Sequence, residues 1–233
     1  MRMRFQHSQA IWRDFPLLSA GAVVIQGETS DRDVTWQSRR FLARADARLR
    51  GLSESELPEI QAWRRAFAQM GLKPTQYRCA AEALLRRYRK DKALPHIHPL
   101  VDLCNAVSVA YAIPIAVFDL DRVDGNLEVR YANGAEVYVA FSGETEHPAP
   151  GEVVFADAAS QAHARRWTNR QSALSAVRPD SARALIVAEA LHDDAVADVA
   201  ALLDELQHVL TVIRAEPNRV ARLSSDQPSI TTA

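Results

Sequence analysis

The hydrophobic positions of this chain change period twice along its 233 residues. An early run, "LLSAGAVVIQGE" (17–28), is β-branched and bounded by glycine, which predicts a strand. Residues 32–49 read as a helix, with Trp36, Leu42 and Leu49 set among arginines. In "SESELPEIQAWRRAFAQMG" (53–71) capping-type residues lead in, and no breaker follows Pro58 until Gly71. Its apolar residues Ile60, Trp63, Phe67 and Met70 share one helical face. A third helix is predicted over "TQYRCAAEALLRRYRK" (75–90), with Tyr77, Ala80, Ala81, Leu84, Leu85 and Tyr88 turned inward. The cations at its end complement the helix dipole. Leu100, Leu103, Val107 and Ala110 with Tyr111 continue the helical spacing until Pro114 stops it.

The period then becomes two. "IAVFDL", "NLEVRYA", "AEVYVAFSG" and "EVVFADA" are short strand-like runs separated by "DG", "NG", "SG" and "PG" turns, a meander of antiparallel strands. "HARRWTNRQS" (163–172) reads either as a further strand or as a site loop, and "RALIVAEAL" (183–191) as a buried strand. "DDAVADVAALLDELQHVLTVI" (193–213) is an amphipathic helix with an acidic first turn and outer face. From Glu216 the tail is polar and aperiodic, and is expected to be disordered. These elements predict an α+β fold: one domain over residues 1–215, a basic helical first third against an antiparallel sheet, and a tail at 216–233.

Composition narrows the class. Apolar residues make up 48% and charged residues 24%, an ordinary globular mixture. No apolar run approaches membrane length, and the N-terminus lacks the apolar core of a secretory signal, so a cytoplasmic protein is expected, with no membrane partner. Cys79 and Cys104 are isolated in apolar helical contexts and read as small buried thiols. The net charge of −1 conceals an asymmetry. Residues 36–92 hold fourteen Arg or Lys against six acids, while residues 189–216 hold seven acids and one arginine. This arrangement suits a docked polyanion and equally suits solvated helix faces.

No P-loop, GxGxxG, GxSxG or HExxH is present. Asp119 and Asp121 share a face just past a strand, and with Gly125 close behind they read as turn chemistry rather than a catalytic or metal pair. His96 and His98 lack a third and fourth ligand at supporting spacing, so no metal and no cofactor are expected, and a role supporting the following helix is. Asp102, Asn105 and Ser108 lie on one helical side, as a hydrogen-bond network or a pocket wall. In "ARRWTNRQ", Arg165, Arg166, Trp167, Arg170 and Gln171 could hold an anion and stack a ring. The same cluster fits a core tryptophan with arginines lying over it.

One ordered series of motifs resembles a known family. Val101, Asp102 and Asn105 match a V-D-x-x-N-Y-V block; Pro114, Phe118, Asp119 and Asp121 match Q-P-x-H-A-F-D-x-D. Val129, Arg130 and Ala132 match I-x-V-R-x-A, and Val154, Ala156 and Asp157 match V-I-A-D. Over about residues 75–158 the chain resembles the B3/B4 domain of the phenylalanyl-tRNA synthetase beta chain, as a free-standing version. The resemblance implies a B3/B4-like fold and an editing activity, hydrolysis in trans of the ester on a misacylated tRNA. Where the family carries His in the second block this chain has Ala116, and "SQAHARRWTNRQ" replaces the family's Gly-rich stretch.

The expected partner is tRNA or aminoacyl-tRNA. The candidate substrate residues are Asn105, Ser108, Glu136, Asp157, Arg166, Trp167 and Arg170, with Arg166 or Arg170 holding a carboxylate or phosphate. Asn105 and Asp157 come from matched motif positions, the others from local chemistry. The candidate tRNA contacts are Arg39, Arg40, Arg64, Arg65, Arg78, Arg86 and Arg87. A non-catalytic module binding tRNA or an amino acid is the alternative, favoured by Ala116, which can neither act as a base nor hold a water. A different small-molecule enzyme using the "RRWTNRQ" segment is a third.

Overall fold

The computed structural model describes residues 3–27, 31–213, 215 and 217–232. Glu28, at the end of the first predicted strand, and Arg214 and Glu216, in the charge count, lie outside the described residues. The chain opens with β1 (Arg4–His7) and α1 (Gln9–Asp14), the latter capped by the Ser8 hydroxyl. β2 (Ser19–Gln26), α2 (Thr35–Arg48), α3 (Pro58–Gln69), α4 (Ala80–Asp91) and α5 (Pro99–Tyr111) follow. The strand-rich part comprises β3 (Ile115–Asp119), β4 (Leu127–Tyr131), β5 (Tyr138–Val139), β6 (Thr145–Glu146), β7 (Val153–Ala156), β8 (Ala162–Arg165), β9 (Arg170–Gln171) and β10 (Arg183–Ala190). The chain then runs through α6 (Ala195–Val212), β11 (Pro217–Leu223) and β12 (Ser229–Thr231).

The strands form two main sheets, in the orders β12-β1-β4-β7-β8-β9 and β11-β2-β10-β3. The smaller sheet is antiparallel throughout, and in the larger one only β1 and β4 run parallel among the described pairs. Strand alternation explains the layers. Ala20, Ala22, Val24, Leu185 and Val187 of the smaller sheet face the larger sheet's Phe5, Leu127, Val129 and Phe155, with Phe118 and Phe155 rings 5.1 Å apart. The opposite parity, Val23, Ile25, Val117, Ile186 and Ala188, packs under α5 and α6 through Leu103, Val107, Leu202 and Leu206. Gly21 is required here, because a Cβ would meet the Leu203 side chain of α6 at 2.8 Å. The α+β class read from the sequence is the observed one.

Several local expectations need correcting. Ile115–Asp119 does not join the meander: it pairs with β10 in the other sheet, because both its faces are apolar and both are covered. The predicted 75–90 helix starts only at Ala80, since the backbone before it bonds the β8–β9 hairpin: Ala80 N–H donates to Thr168 O and Asn169 Nδ2 to Arg78 O. The "AEVYVAFSG" run forms only a small ribbon with β6. The expected disordered tail instead contains β11, paired along β2, and β12, paired along β1. A polar strand lacks the alternation that marks a buried one, so its partner's edge decides its conformation.

Other readings hold. Asp119 accepts from Asp121 N–H at 2.9 Å and from Ser181 Oγ at 2.7 Å, and Asp121 accepts from Arg183, so both are framework. His98 caps α5, its Nδ1 accepting from Leu100 N–H at 3.2 Å. Cys79 and Cys104 are free and buried, and burial pushes both thiols up to about 12, which makes them inert. Among the described residues no helix is long and apolar enough to cross a membrane.

A candidate functional site between the sheets

A small cavity, about 60 Å³, opens where the two sheets meet. Pro114, Ile115 and Ala116 come from the start of β3 and Glu189 from β10; Phe155 and Ala164 come from the larger sheet. The wall is completed by Trp167 through Gln171 of the β8–β9 hairpin and by Ala80 at the head of α4. Strand register explains why Ala116 and Glu189 share it. Ala116 sits opposite Val187, and Glu189, two residues on, points to the same face. Ala116 therefore puts only a methyl group where a longer side chain would fill or arm the space.

Glu189 is the buried charge of the site, only 2% exposed. Its Oε1 accepts from Trp167 Nε1 at 2.8 Å and pairs with His7 Nε2 at 2.7 Å. A buried carboxylate is tolerated only when so paired. His7 Nδ1, on the far side of the ring, has no hydrogen-bond partner among the described residues.

The hairpin is held under strain. Arg166 and Trp167 both adopt left-handed backbone, at φ 47° and 56°, which is costly for residues with side chains. Compensation comes from Trp167 N–H donating to Val153 O at 2.8 Å and from the burial of the indole. Phe15 and Trp63 lie edge-on to it, with centroids at 4.8 and 4.9 Å. Gln171 Nε2 donates to Val117 O at 2.6 Å and ties the hairpin across to the other sheet. Arg165 is buried and forms two bonds to Glu152, each 2.8 Å, and a further one to Glu146. Arg170 also reaches Glu146, at 3.0 Å, yet remains partly exposed. Arg170 and Gln171 separate the cavity from a surface hollow of about 360 Å³ lined by Tyr138, Phe141 and Ser142. Phe141 stands exposed in that hollow.

Of the residues singled out from sequence, Trp167 and Arg170 line the cavity. Arg166 points away, its guanidinium 4.7 Å over the Tyr77 ring. The other four are not among the cavity's lining residues. Ser108 Oγ donates to Ile113 O and closes the end of α5. Glu136 accepts from Asn133 and Gly134 N–H and pairs with Arg130. Asp157 accepts from Asp124, Ala159 and Gln161 N–H and from His163. Burial pushes the Asp157 carboxyl up, but His163 and these backbone donors outweigh it and hold it below the usual range. Asn105 is half-buried on α5. Glu189 and Ala80 were not singled out as site residues, and Gln171 was named only within the "ARRWTNRQ" cluster; a lone acid inside the apolar "RALIVAEAL" run was the signal for Glu189.

The proposed tRNA contacts divide. Arg64 and Arg78 close on buried Glu82, Arg86 lies 3.7 Å from buried Glu54, and Arg87 pairs with Asp91. Arg39, Arg40 and Arg65 are exposed and have no ion pair among the described residues. Arg39 and Arg40 border a groove beside Trp36, which is 76% exposed.

Two sheets packed face to face under a helical layer, with a cavity at their junction, define an α+β domain with a preformed pocket. The B3/4 domain family matches residues 62–206, more than half of the chain, and the chain belongs to that family. It is 41% identical over 61 residues to the phenylalanine–tRNA ligase beta subunit of Bradyrhizobium diazoefficiens. It is 33% identical over 68 residues to that of Cereibacter sphaeroides. These segments are 26% and 29% of this chain and 8% of each relative. An N-terminal fragment of the phenylalanyl-tRNA synthetase beta subunit from Pyrococcus horikoshii has a similar fold. The match covers 98% of this chain and 54% of that one, with a TM-score of 0.51 at 9% identity.

Proposed function

We propose that this chain hydrolyses the ester of a misacylated tRNA in trans. The observation that carries the reading is the preformed cavity at the β3–β10 junction, walled by Ala116, Trp167 and buried Glu189. The aminoacyl group enters this cavity and the terminal nucleotide rests in the hollow beyond Arg170, where Phe141 and Arg170 offer a stacking face and a cation. Water adds to the ester carbonyl and the bond to the ribose oxygen breaks, releasing the amino acid and a free terminal hydroxyl. Ala116 takes no part in moving protons. Glu189, fixed by Trp167 and His7, is the carboxylate able to orient that water or to hold the substrate's ammonium group. The ribose 2′-hydroxyl of the substrate is the other group able to place the water.

Cavity size bears on the amino acid. A pocket that takes benzene measures about 150 Å³, against about 60 Å³ here. A small aliphatic or hydroxylic side chain, rather than an aromatic ring, is therefore the expected guest. Exposed Arg39, Arg40 and Arg65, without ion pairs among the described residues, can meet phosphate. Incubation with a panel of mischarged tRNAs tests the proposal, with release of small amino acids expected first; no release above buffer across the panel removes it. The second reading, a module that binds tRNA or an amino acid without turnover, is favoured by the bare methyl of Ala116 in the cavity wall. Salt-sensitive tRNA binding with no release would establish it.

A further inference from the structure

A second cleft, of about 430 Å³, lies at the start of α3 and α6, and none of its lining residues lines the cavity. We propose that Glu59, His192 and Asp198 in this cleft bind one divalent cation of the zinc class. Their ligand atoms lie within 4.8 Å of one another. Three ligands placed tetrahedrally around a zinc at about 2.0–2.2 Å lie about 3.3–3.6 Å apart, so side-chain rotations that draw the atoms in by about 1 Å close the set. The chemistry of one imidazole and two carboxylates suits zinc, and three protein ligands leave a position open to water.

Acidic residues in a first helical turn need no metal to explain them, since the dipole favours them there. Two observations go beyond that. Glu59 is buried, only 5% exposed, and its Oε2 lacks a hydrogen-bond partner among the described residues while the side chain lines the cleft. An orphaned carboxylate oxygen at that depth costs stability unless something binds it. His192 is likewise buried and contributes its ring to the same cleft, with Nε2 2.8 Å from Asp198 Oδ2. Arg48 engages the other oxygen, Oε1 of Glu59, and so orients Oε2 without neutralising it completely. Arg65 also borders the cleft, opposed by Glu56, Asp193 and Asp194. Sequence spacing hides this group, because Glu59 lies far along the chain from His192 and Asp198, and the packing of α3 against β10 helps bring them together.

The test is calorimetric titration of the full chain, stripped with a chelator, with Zn²⁺. One equivalent is expected to bind, with a matching rise in Tm. Glu59→Gln, His192→Ala and Asp198→Asn should each weaken binding at least tenfold; half-exposed Asp198 gives the variant safest for folding. Failure of the wild type to bind a stoichiometric ion overturns the proposal. Equal affinity in Asp198→Asn and His192→Ala, which would place the ion elsewhere, overturns it too.

Discussion

In the helical lobe of α2 to α4 the arginines close on buried glutamates: Arg48 on Glu59, Arg64 and Arg78 on Glu82, Arg86 and Arg89 on Glu54. In the β8–β9 hairpin the arginines fan out around a cavity instead: Arg165 is locked inward by two carboxylates, Arg166 stacks on Tyr77, and Arg170 stands at the rim. A local excess of charge therefore does not identify a binding surface. The lobe's cations largely neutralise acids that its own helices bury, and only those without such partners remain available. The hairpin's cations brace a strained turn that presents a buried tryptophan and glutamate to a pocket.

The largest expected effect lies in the hairpin. Trp167→Ala removes a fully buried indole and one donor to Glu189, and should cost about 3–5 kcal/mol in urea unfolding. A loss below about 1 kcal/mol would show the hairpin to be uncoupled from the core. In the lobe, neighbouring arginines separate the two uses of charge. Arg64→Met leaves buried Glu82 with only the longer Arg78 pairing and should destabilise by about 2 kcal/mol. Arg65→Met should change stability by no more than about 0.5 kcal/mol. Equal effects at the two positions would erase the distinction. Replacing Arg39 and Arg40 by Ala should leave stability nearly unchanged. It should also lower the salt dependence of the proposed tRNA binding by about one in slope for each phosphate no longer neutralised.

A smaller effect is set by pH. The His98 imidazole is held below its ordinary range by burial, with Asp102 opposing, and its neutral form caps α5. A base with a depressed folded value contributes stability above its unfolded pKa of about 6.5 and loses it as pH falls. Asp157, depressed likewise, loses its contribution lower, as pH falls below about 4. Stability measured by denaturant should therefore decline in two stages on acidification, and His98→Asn should remove the upper one.

The longer helices α2 to α6 and the class of fold were legible because their signals are local: a stop at Pro114 and a one-sided apolar spacing. The six-residue α1 (Gln9–Asp14) is too short to show a period. The strand order was not. Ile115–Asp119 and Leu127–Tyr131 are consecutive and similar in pattern, yet they enter different sheets, a choice made by surfaces far away in sequence. For the site, "ARRWTNRQ" was visible as unusual, and both readings of it contain part of the result: Trp167 packs in the core, and Arg170 faces a pocket. The family motifs located the region through Ala116 but pointed to Asp157 and Asn105, of which Asp157 builds a turn. Glu189 was obscured because its partners, His7 and Trp167, lie 182 and 22 residues away.

In the proposed reaction the cavity beside Ala116 receives the aminoacyl end of a tRNA. The decisive measurement is the release of a small amino acid from mischarged tRNA by the wild type, Glu189→Gln and Ala116→Leu, with Tm recorded for each. Release by the wild type and a loss of at least tenfold in both variants, each still folded, is the expected result. Release at equal rates by all three, or by none, would rule out the cavity as the site.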